Sequence, residues 1–277
     1  MRFARCRWSS VTALLVALSL ALTSAFPVSA VTYPNSMAAL GDSITRAYNT
    51  GSAFADAPQN AWATGTNSSV NSLYLRLLPY NAALSGKNFN YAVTSAKMAS
   101  LATQAGRVTS TIQYVTILMG ANDVCTSSES TMTSVAAFQS QFTAALNLLK
   151  TNAPNAQIYV VSIPNIYNLW AILKGSSTAR FTWSVLRICQ SMLANASSTS
   201  STDEARRQRV RQRNIDFNSA LAQVCAQYAN CRFDNNAVFN TTFVKGDVST
   251  RDYFHPSLAG QVKLANVAWG ASGFAAP

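Results

Sequence analysis

Short apolar runs alternate with amphipathic stretches along most of this chain. Residues 36–42 (SMAALGD), 88–93, 113–119 (QYVTILM), 157–163 (QIYVVSI) and 231–234 read as strands, and Gly120 and Pro164 close two of them. Between them, apolar positions recur at helical spacing. Val135, Phe138, Phe142, Leu146 and Leu149 share one face of a helix predicted over 132–151. Val210, Phe217, Leu221, Val224 and Tyr228 do the same over 203–228. Further helices are predicted over 70–84, interrupted at Pro79, over 96–108, and from a Ser257 cap to about Trp269. Strands that are apolar throughout, separated by helices, call for a parallel sheet covered on both faces, so the fold class is α/β.

Two stretches break this pattern. Residues 48–70 are polar and without period, and residues 166–202 form a large irregular insert. In an open α/β sheet, ligands bind beyond the carboxyl ends of the strands. Both stretches follow strand ends, so both are expected to rim a site; ordinary surface loops are the alternative. Apolar side chains of the insert (Trp170, Ile172, Leu173, Phe181, Trp183) suit either an acyl pocket or a small core of the insert's own.

The first thirty residues carry a different pattern. Arg2, Arg5 and Arg7 precede an apolar run over 11–22, and Val28-Ser29-Ala30 is a small-residue cleavage site. This predicts a secretory signal peptide over 1–30, leaving 31–277 as one domain. The run is short for a membrane span, and no later stretch is long enough. The leader holds three of the 21 Lys and Arg and none of the ten Asp and Glu, so the remainder keeps a net charge of +8. Much of it lies in Arg206, Arg207, Arg209, Arg211 and Arg213. That cluster suits transient contact with anionic lipid or cell wall, or the solvated start of an amphipathic helix, and the helix reading is favoured. No nucleic-acid motif is present, and the chain is expected to act as a monomer.

Cys125, Cys189, Cys225 and Cys231 remain beyond the leader, an even count that suggests two disulfides in an exported chain. With no Cys-x-x-Cys pair and a single histidine, a zinc site has few ligands. Four cysteines allow three pairings. Cys225 lies in the last turn of the predicted long helix, Cys231 begins the strand after it, and the chain must reverse at Ala229-Asn230. Such a turn brings two Cα atoms within bridging distance, which leaves Cys125 to join Cys189.

The one histidine, His255, stands in Asp252-Tyr253-Phe254-His255-Pro256. Asp252 is placed to hold one ring nitrogen while the other takes a proton near neutral pH. Ser43, in Gly41-Asp42-Ser43-Ile44-Thr45, sits where the first strand turns. Asn122, in Gly120-Ala121-Asn122-Asp123, follows another strand, and its amide is a neutral donor suited to a developing oxyanion. Each motif alone is compatible with a turn. In a parallel sheet, however, the three strand ends gather on one edge. The sequence contains no G-x-S-x-G, which removes the nucleophile elbow of α/β-hydrolases.

The four blocks GDSIT, Asn90-Tyr91-Ala92-Val93-Thr94-Ser95-Ala96, GAND and DYFHP, in this order, resemble those of the SGNH hydrolases, also called GDSL esterases and lipases. The resemblance implies a three-layer α/β/α sandwich with a flavodoxin-like sheet of about five parallel strands. It implies Ser43 as nucleophile, His255 as general base and acid, and Asp252 as orienting carboxylate. The oxyanion hole would be the Ser43 N–H, the Asn122 amide and a backbone N–H at Ser95. The family usually has glycine at Ser95, so the departure bears on backbone conformation and pocket room. No metal and no organic cofactor is implied. The expected activity is hydrolysis of a carboxylic ester, lipid or other acyl ester, through an acyl-enzyme. The alternatives are a carbohydrate O-acetylesterase and a non-catalytic wall- or lipid-binding protein on the same fold.

Overall fold

The computed structural model describes residues 1, 2, 4 and 32–274. The expected leader and its cleavage site lie almost wholly outside the described residues. Internal contacts divide the chain into Met1–Thr32 and Tyr33–Pro277, and all that follows concerns the second unit.

Five strands form the sheet: β1 (Met37–Gly41), β2 (Asn88–Asn90), β3 (Tyr114–Leu118), β4 (Gln157–Val160) and β5 (Cys231–Phe233). Their order is β2-β1-β3-β4-β5, every pairing parallel. This is the flavodoxin-like order, with its switch point between β1 and β3. All five residues of β1 and of β3 are buried, as continuous apolar runs require of a sheet covered on both faces. The strands are shorter than the apolar runs. Ladder-like bonds nevertheless continue past their ends, from Val93 N–H to Gly41 O (3.1 Å) and from Val161 N–H to Ile117 O (2.8 Å).

Among the described residues, ten α-helices accompany the sheet: α1 (Leu73–Leu77), α2 (Leu101–Ala105), α3 (Ala121–Val124), α4 (Val135–Asn152), α5 (Ile166–Leu173), α6 (Ser177–Val185), α7 (Gln190–Leu193), α8 (Ser201–Cys225), α9 (Ala237–Asn240) and α10 (Leu258–Ala271). α4 packs against α2 and α8, and α10 against α1 and α9. Phe138 of α4 stacks on Phe217 of α8 with centroids 4.0 Å apart, which joins the two faces read from the sequence. Tyr159 of β4 reaches α10 and donates its hydroxyl to Ala268 O at 2.8 Å. α10 starts at the Ser257 cap, whose hydroxyl accepts the Gly260 N–H.

Three expectations change. The helix predicted over 70–84 shrinks to α1, because Ser72 caps its start and Pro79 follows its end. That over 96–108 begins as a 3₁₀ turn (Met98–Ser100) before α2, since Met98 N–H is drawn to Asp123 Oδ2 at 2.8 Å. The insert is not irregular: it folds into α5, α6 and α7, with Trp170, Leu173, Ala179 and Trp183 buried. Residues 48–70 hold no α-helix or strand but are not merely surface. Trp62 is fully buried, and its backbone N–H donates to Gln261 Oε1 at 3.0 Å.

Two disulfides close, Cys125–Cys189 and Cys225–Cys231. The arginine cluster is largely occupied. Arg207 is fully buried, bonded to Glu204 (3.0 Å) and Ser198 O (2.8 Å), with its guanidinium over the Trp170 ring. Arg209 grips Glu129 through two nitrogens, Arg206 pairs with Asp203, and Arg213 donates to Thr133 O. Four of the five arginines are thus engaged within the chain: the cluster lies on the first half of α8, as the helix reading has it, but it is not simply solvated, since Arg207 is buried.

Candidate active site

Ser43 lies just past β1, and the local fold is built around Gly41. Its φ of +154° is one that L side chains rarely adopt, and a Cβ there would come within 2.4 Å of Leu118 O. Gln104 of α2 clamps this peptide from both sides, accepting Gly41 N–H and donating to Gly41 O, each at 2.8 Å. Beyond Ser43 the chain curls into one turn, with Tyr48 N–H bonding Ser43 O at 3.0 Å. Gln261 of α10 ties the turn down by donating to Ile44 O at 2.9 Å.

The Ser43 hydroxyl lies 2.8 Å from His255 Nε2, and His255 Nδ1 lies 2.6 Å from Asp252 Oδ2. Asp252 Oδ1 accepts the backbone N–H groups of Phe254 (2.9 Å) and His255 (3.1 Å). Burial alone would raise the Asp252 pKa. The hydrogen bond and charge of His255, with those two N–H groups, outweigh it and hold the carboxyl below its usual range. An ionised carboxylate is an acceptor only, so His255 Nδ1 carries the proton facing it. Nε2 is then the free lone pair, and the Ser43 O–H donates to it.

The loop carrying Asp252 and His255 is fastened on several sides. Val248 bridges Pro256, and Ser249 N–H donates to His255 O at 2.8 Å. Tyr253 takes a left-handed φ of 55°, and the Trp183 indole N–H of α6 donates to its carbonyl at 2.9 Å. The Tyr48 and Phe254 rings flank the imidazole at 4.9 and 5.1 Å between centroids.

Asn122 opens α3 just past β3. Gly120 before it has φ +128°, and a Cβ there would strike Ile163 Cδ1 at 2.4 Å. The Asn122 amide donates one hydrogen to Ala96 O at 3.0 Å, leaving the other for a ligand. Ser95 stands at φ +66°, the left-handed region that favours the glycine usual in the resembled family, and is exposed. Neither the Ser43 nor the Ser95 backbone N–H has an acceptor among the described residues.

Ser43, Asn122 and His255 line a cavity of about 640 Å³, its open mouth included. Ile44, Ile166, Leu169, Ile172, Phe243 and Phe254 give it largely apolar walls. Of the insert residues suited to an acyl pocket, only Ile172 faces this cavity. Trp170, Leu173 and Trp183 belong to the core, and Phe181 is exposed. Ile166, Leu169 and Phe243 take their place, through the α5 face and a loop that sequence periodicity did not resolve.

Asn49 was not singled out from the sequence. It is buried, with φ 65°, and donates its amide to Asp252 Oδ2 at 2.5 Å. The one signal for it was an asparagine, a residue tolerant of left-handed backbone, in a polar stretch beside Gly51. Asp42 was read only as part of the GDS turn. It is fully buried, accepts the Ile44 N–H at 2.9 Å through Oδ1, and leaves Oδ2 without a partner. Burial pushes its carboxyl up to about 7.

Ser43 and Asn122 thus follow β1 and β3, the two strands that flank the switch point. The chain belongs to the GDSL-like lipase/acylhydrolase family, whose pattern it matches over residues 37–268, and it is a carboxylic-ester hydrolase. A comparison with curated protein sequences returns no match. Among solved structures, it is similar to an extracellular lipase from Streptomyces rimosus at 19% identity and TM-score 0.48, over 84% of this chain and 99% of that one. It is also similar to phospholipase A1 from Streptomyces albidoflavus NA297, at 15% identity and TM-score 0.47, over 83% of this chain and 98% of that one. A carbohydrate esterase family 2 enzyme from Corynascus thermopiles matches at 11% identity and TM-score 0.48, over 89% of this chain and 68% of that one.

Proposed function

We propose that this chain is a secreted serine hydrolase of esters with aliphatic acyl chains, lipid esters foremost. The observation that carries the reading is the unbroken relay from Ser43 Oγ through His255 to Asp252, opening on an apolar cavity. Ser43 Oγ attacks the ester carbonyl carbon as His255 Nε2 takes its proton. The oxyanion receives the Ser43 and Ser95 N–H groups and the second Asn122 amide hydrogen. Collapse expels the alcohol, which leaves with the proton from Nε2. Water, deprotonated by the same nitrogen, then releases the acid and restores Ser43. Asp252 stays ionised throughout and stabilises the imidazolium.

Ile166, Leu169, Ile172 and Phe243 would hold the acyl chain, because an alkyl chain gains from leaving water for such walls. Export is supported by the signal-like leader and by the two disulfides. The test is a panel of p-nitrophenyl esters from acetate to palmitate, run beside a phospholipid and an acetylated xylan. Highest kcat/KM on a medium or long acyl ester, with phospholipid cleaved, supports the reading. Activity confined to acetate and acetylated xylan would make the chain a carbohydrate acetylesterase.

A further inference from the structure

α6 has two faces. Ala179 and Trp183 are buried, and Trp183 reaches the Asp252–His255 loop through its bond to Tyr253 O. The opposite face carries Phe181 and Val185, followed by Leu186 at the helix end, exposed at 69%, 61% and 48%. Scattered apolar residues on a surface are ordinary, but three large ones on adjoining turns of one helix are a patch. Nothing in the described residues covers it.

The charged residues of the segment that carries this patch have one sign. From α5 to the start of α8, residues 166–202 carry Lys174, Arg180 and Arg187 and no Asp or Glu. Arg187 is exposed; Lys174 is exposed with its ammonium over the Trp170 ring, and the half-buried Arg180 donates to Lys174 O. The next acidic residues in the chain, Asp203 and Glu204, are already paired with Arg206 and Arg207. An apolar helix face with basic residues beside it is the chemistry of a helix lying in a membrane interface over anionic lipid. Position agrees with this: α5, which lines the cavity, leads through residues 174–176 into α6, and α6 bonds the loop of His255. The Cys125–Cys189 bond anchors the segment's far end to the chain just past Asn122.

We infer that the outer face of α6 docks the enzyme on an anionic phospholipid surface, placing the cavity beside aggregated lipid substrate, which rests on the lipid-ester reading above. The favoured anionic contact therefore sits on α6 rather than on the arginine cluster of α8.

The test uses the whole chain without its leader, as the Ser43→Ala variant, so that the lipid is not consumed. Sedimentation is measured with vesicles of phosphatidylcholine alone and of equal parts phosphatidylcholine and phosphatidylglycerol. Binding to the anionic vesicles should be at least about tenfold tighter than to neutral ones and should weaken with salt. Adding Phe181→Ser and Val185→Ser should weaken it by about tenfold or more, and Arg187→Gln alone by about threefold. In the Ser43 background, the Phe181/Val185 variant should keep its hydrolysis of soluble p-nitrophenyl acetate within about twofold, since neither residue touches the cavity. Absent vesicle binding, or equal binding by the Phe181/Val185 variant, would overturn the inference. So would a dimer that this variant dissolves, which would make a second copy the occupant. Vesicle binding intact in a chain that hydrolyses no ester would instead defeat the catalytic reading and leave the docking face standing.

Discussion

Asn49 and His255 share one oxygen of Asp252: the Asn49 amide donates to Oδ2 at 2.5 Å, and His255 Nδ1 approaches the same atom at 2.6 Å. The Asn49 side-chain oxygen is held in turn by Phe54 N–H at 2.6 Å, so the amide is fixed before it meets the carboxylate. Asn49 is therefore a positioning residue. Asn49→Ala should lower kcat about tenfold with little change in KM, the scale of one hydrogen bond to a charged group. A raised KM with unchanged kcat would exclude this positioning role for Asn49.

Asn122→Ala should lower kcat about 10²- to 10³-fold with a smaller change in KM, because its second amide hydrogen meets charge only in the tetrahedral intermediate. The bond to Ala96 O aims that hydrogen. Steady-state kinetics on a soluble ester decides it, and a raised KM with normal kcat would exclude an oxyanion role.

The buried Asp42 should shape stability against pH. Its folded pKa stands near 7, above the ordinary 3.8, so the folded state keeps a proton that the unfolded state has lost. Its contribution is complete below the unfolded value and disappears as pH rises through 7. Between those limits one proton contributes a slope of about −1.4 kcal/mol per pH unit. Asp123 and Asp234, also raised by burial, act in the same direction. Asp42→Asn should flatten the slope between pH 5 and 7 by up to about 1.4 kcal/mol per unit, measured by denaturant unfolding. An unchanged slope would show that Asp42 titrates as an ordinary surface carboxyl does.

Breaking Cys125–Cys189 should affect activity more than breaking Cys225–Cys231. The first bond joins α7 to the chain just after Asn122 and, through Gln190 donating to Trp183 O at 2.9 Å, supports the brace on Tyr253. The second closes a short loop remote from the cavity lining. Cys189→Ser should cost several-fold in kcat while the chain stays folded, since Ser191 also holds this junction through Val124 O (2.7 Å) and Thr126 O (2.9 Å). Cys231→Ser should leave kcat nearly unchanged. By the loop-entropy model the long loop contributes roughly 4 kcal/mol and the short one roughly 2, so the Cys189 variant should also melt lower. Equal activities with circular dichroism showing both variants folded would contradict this.

Much of this site was legible because its chemistry sits at strand ends in short motifs. Ser43 follows β1, Asn122 follows β3, and Asp252 and His255 lie within one turn of each other, so local spacing and the sheet order bring them together. Asn49 and Gln104 were not legible. Each is a single polar side chain whose partner, Asp252 or the Gly41 peptide, lies 203 or 63 residues away. Their burial is settled by tertiary packing, which periodicity does not report. The insert misled for a related reason: α6 is apolar on both its inner and its outer face, and α7 has only four residues, so neither gives a clear helical period. The 48–70 stretch shows no period because its buried groups, apolar Trp62 and polar Asn60 among them, find their partners only in the folded state: Gln261 for the Trp62 N–H, and Thr50 and Asn67 for Asn60.

The claim on which the rest depends is that Ser43 is the nucleophile, and labelling with a fluorophosphonate tests it most directly. Intact mass and peptide mapping should show one adduct per chain, on the peptide bearing Ser43. Ser43→Ala should take no label, fold as the parent does and lose at least about 10³-fold in kcat, as loss of a triad member does elsewhere. An unlabelled parent, an adduct on another residue, or a Ser43→Ala variant that keeps more than a few per cent of its esterase activity would contradict the account.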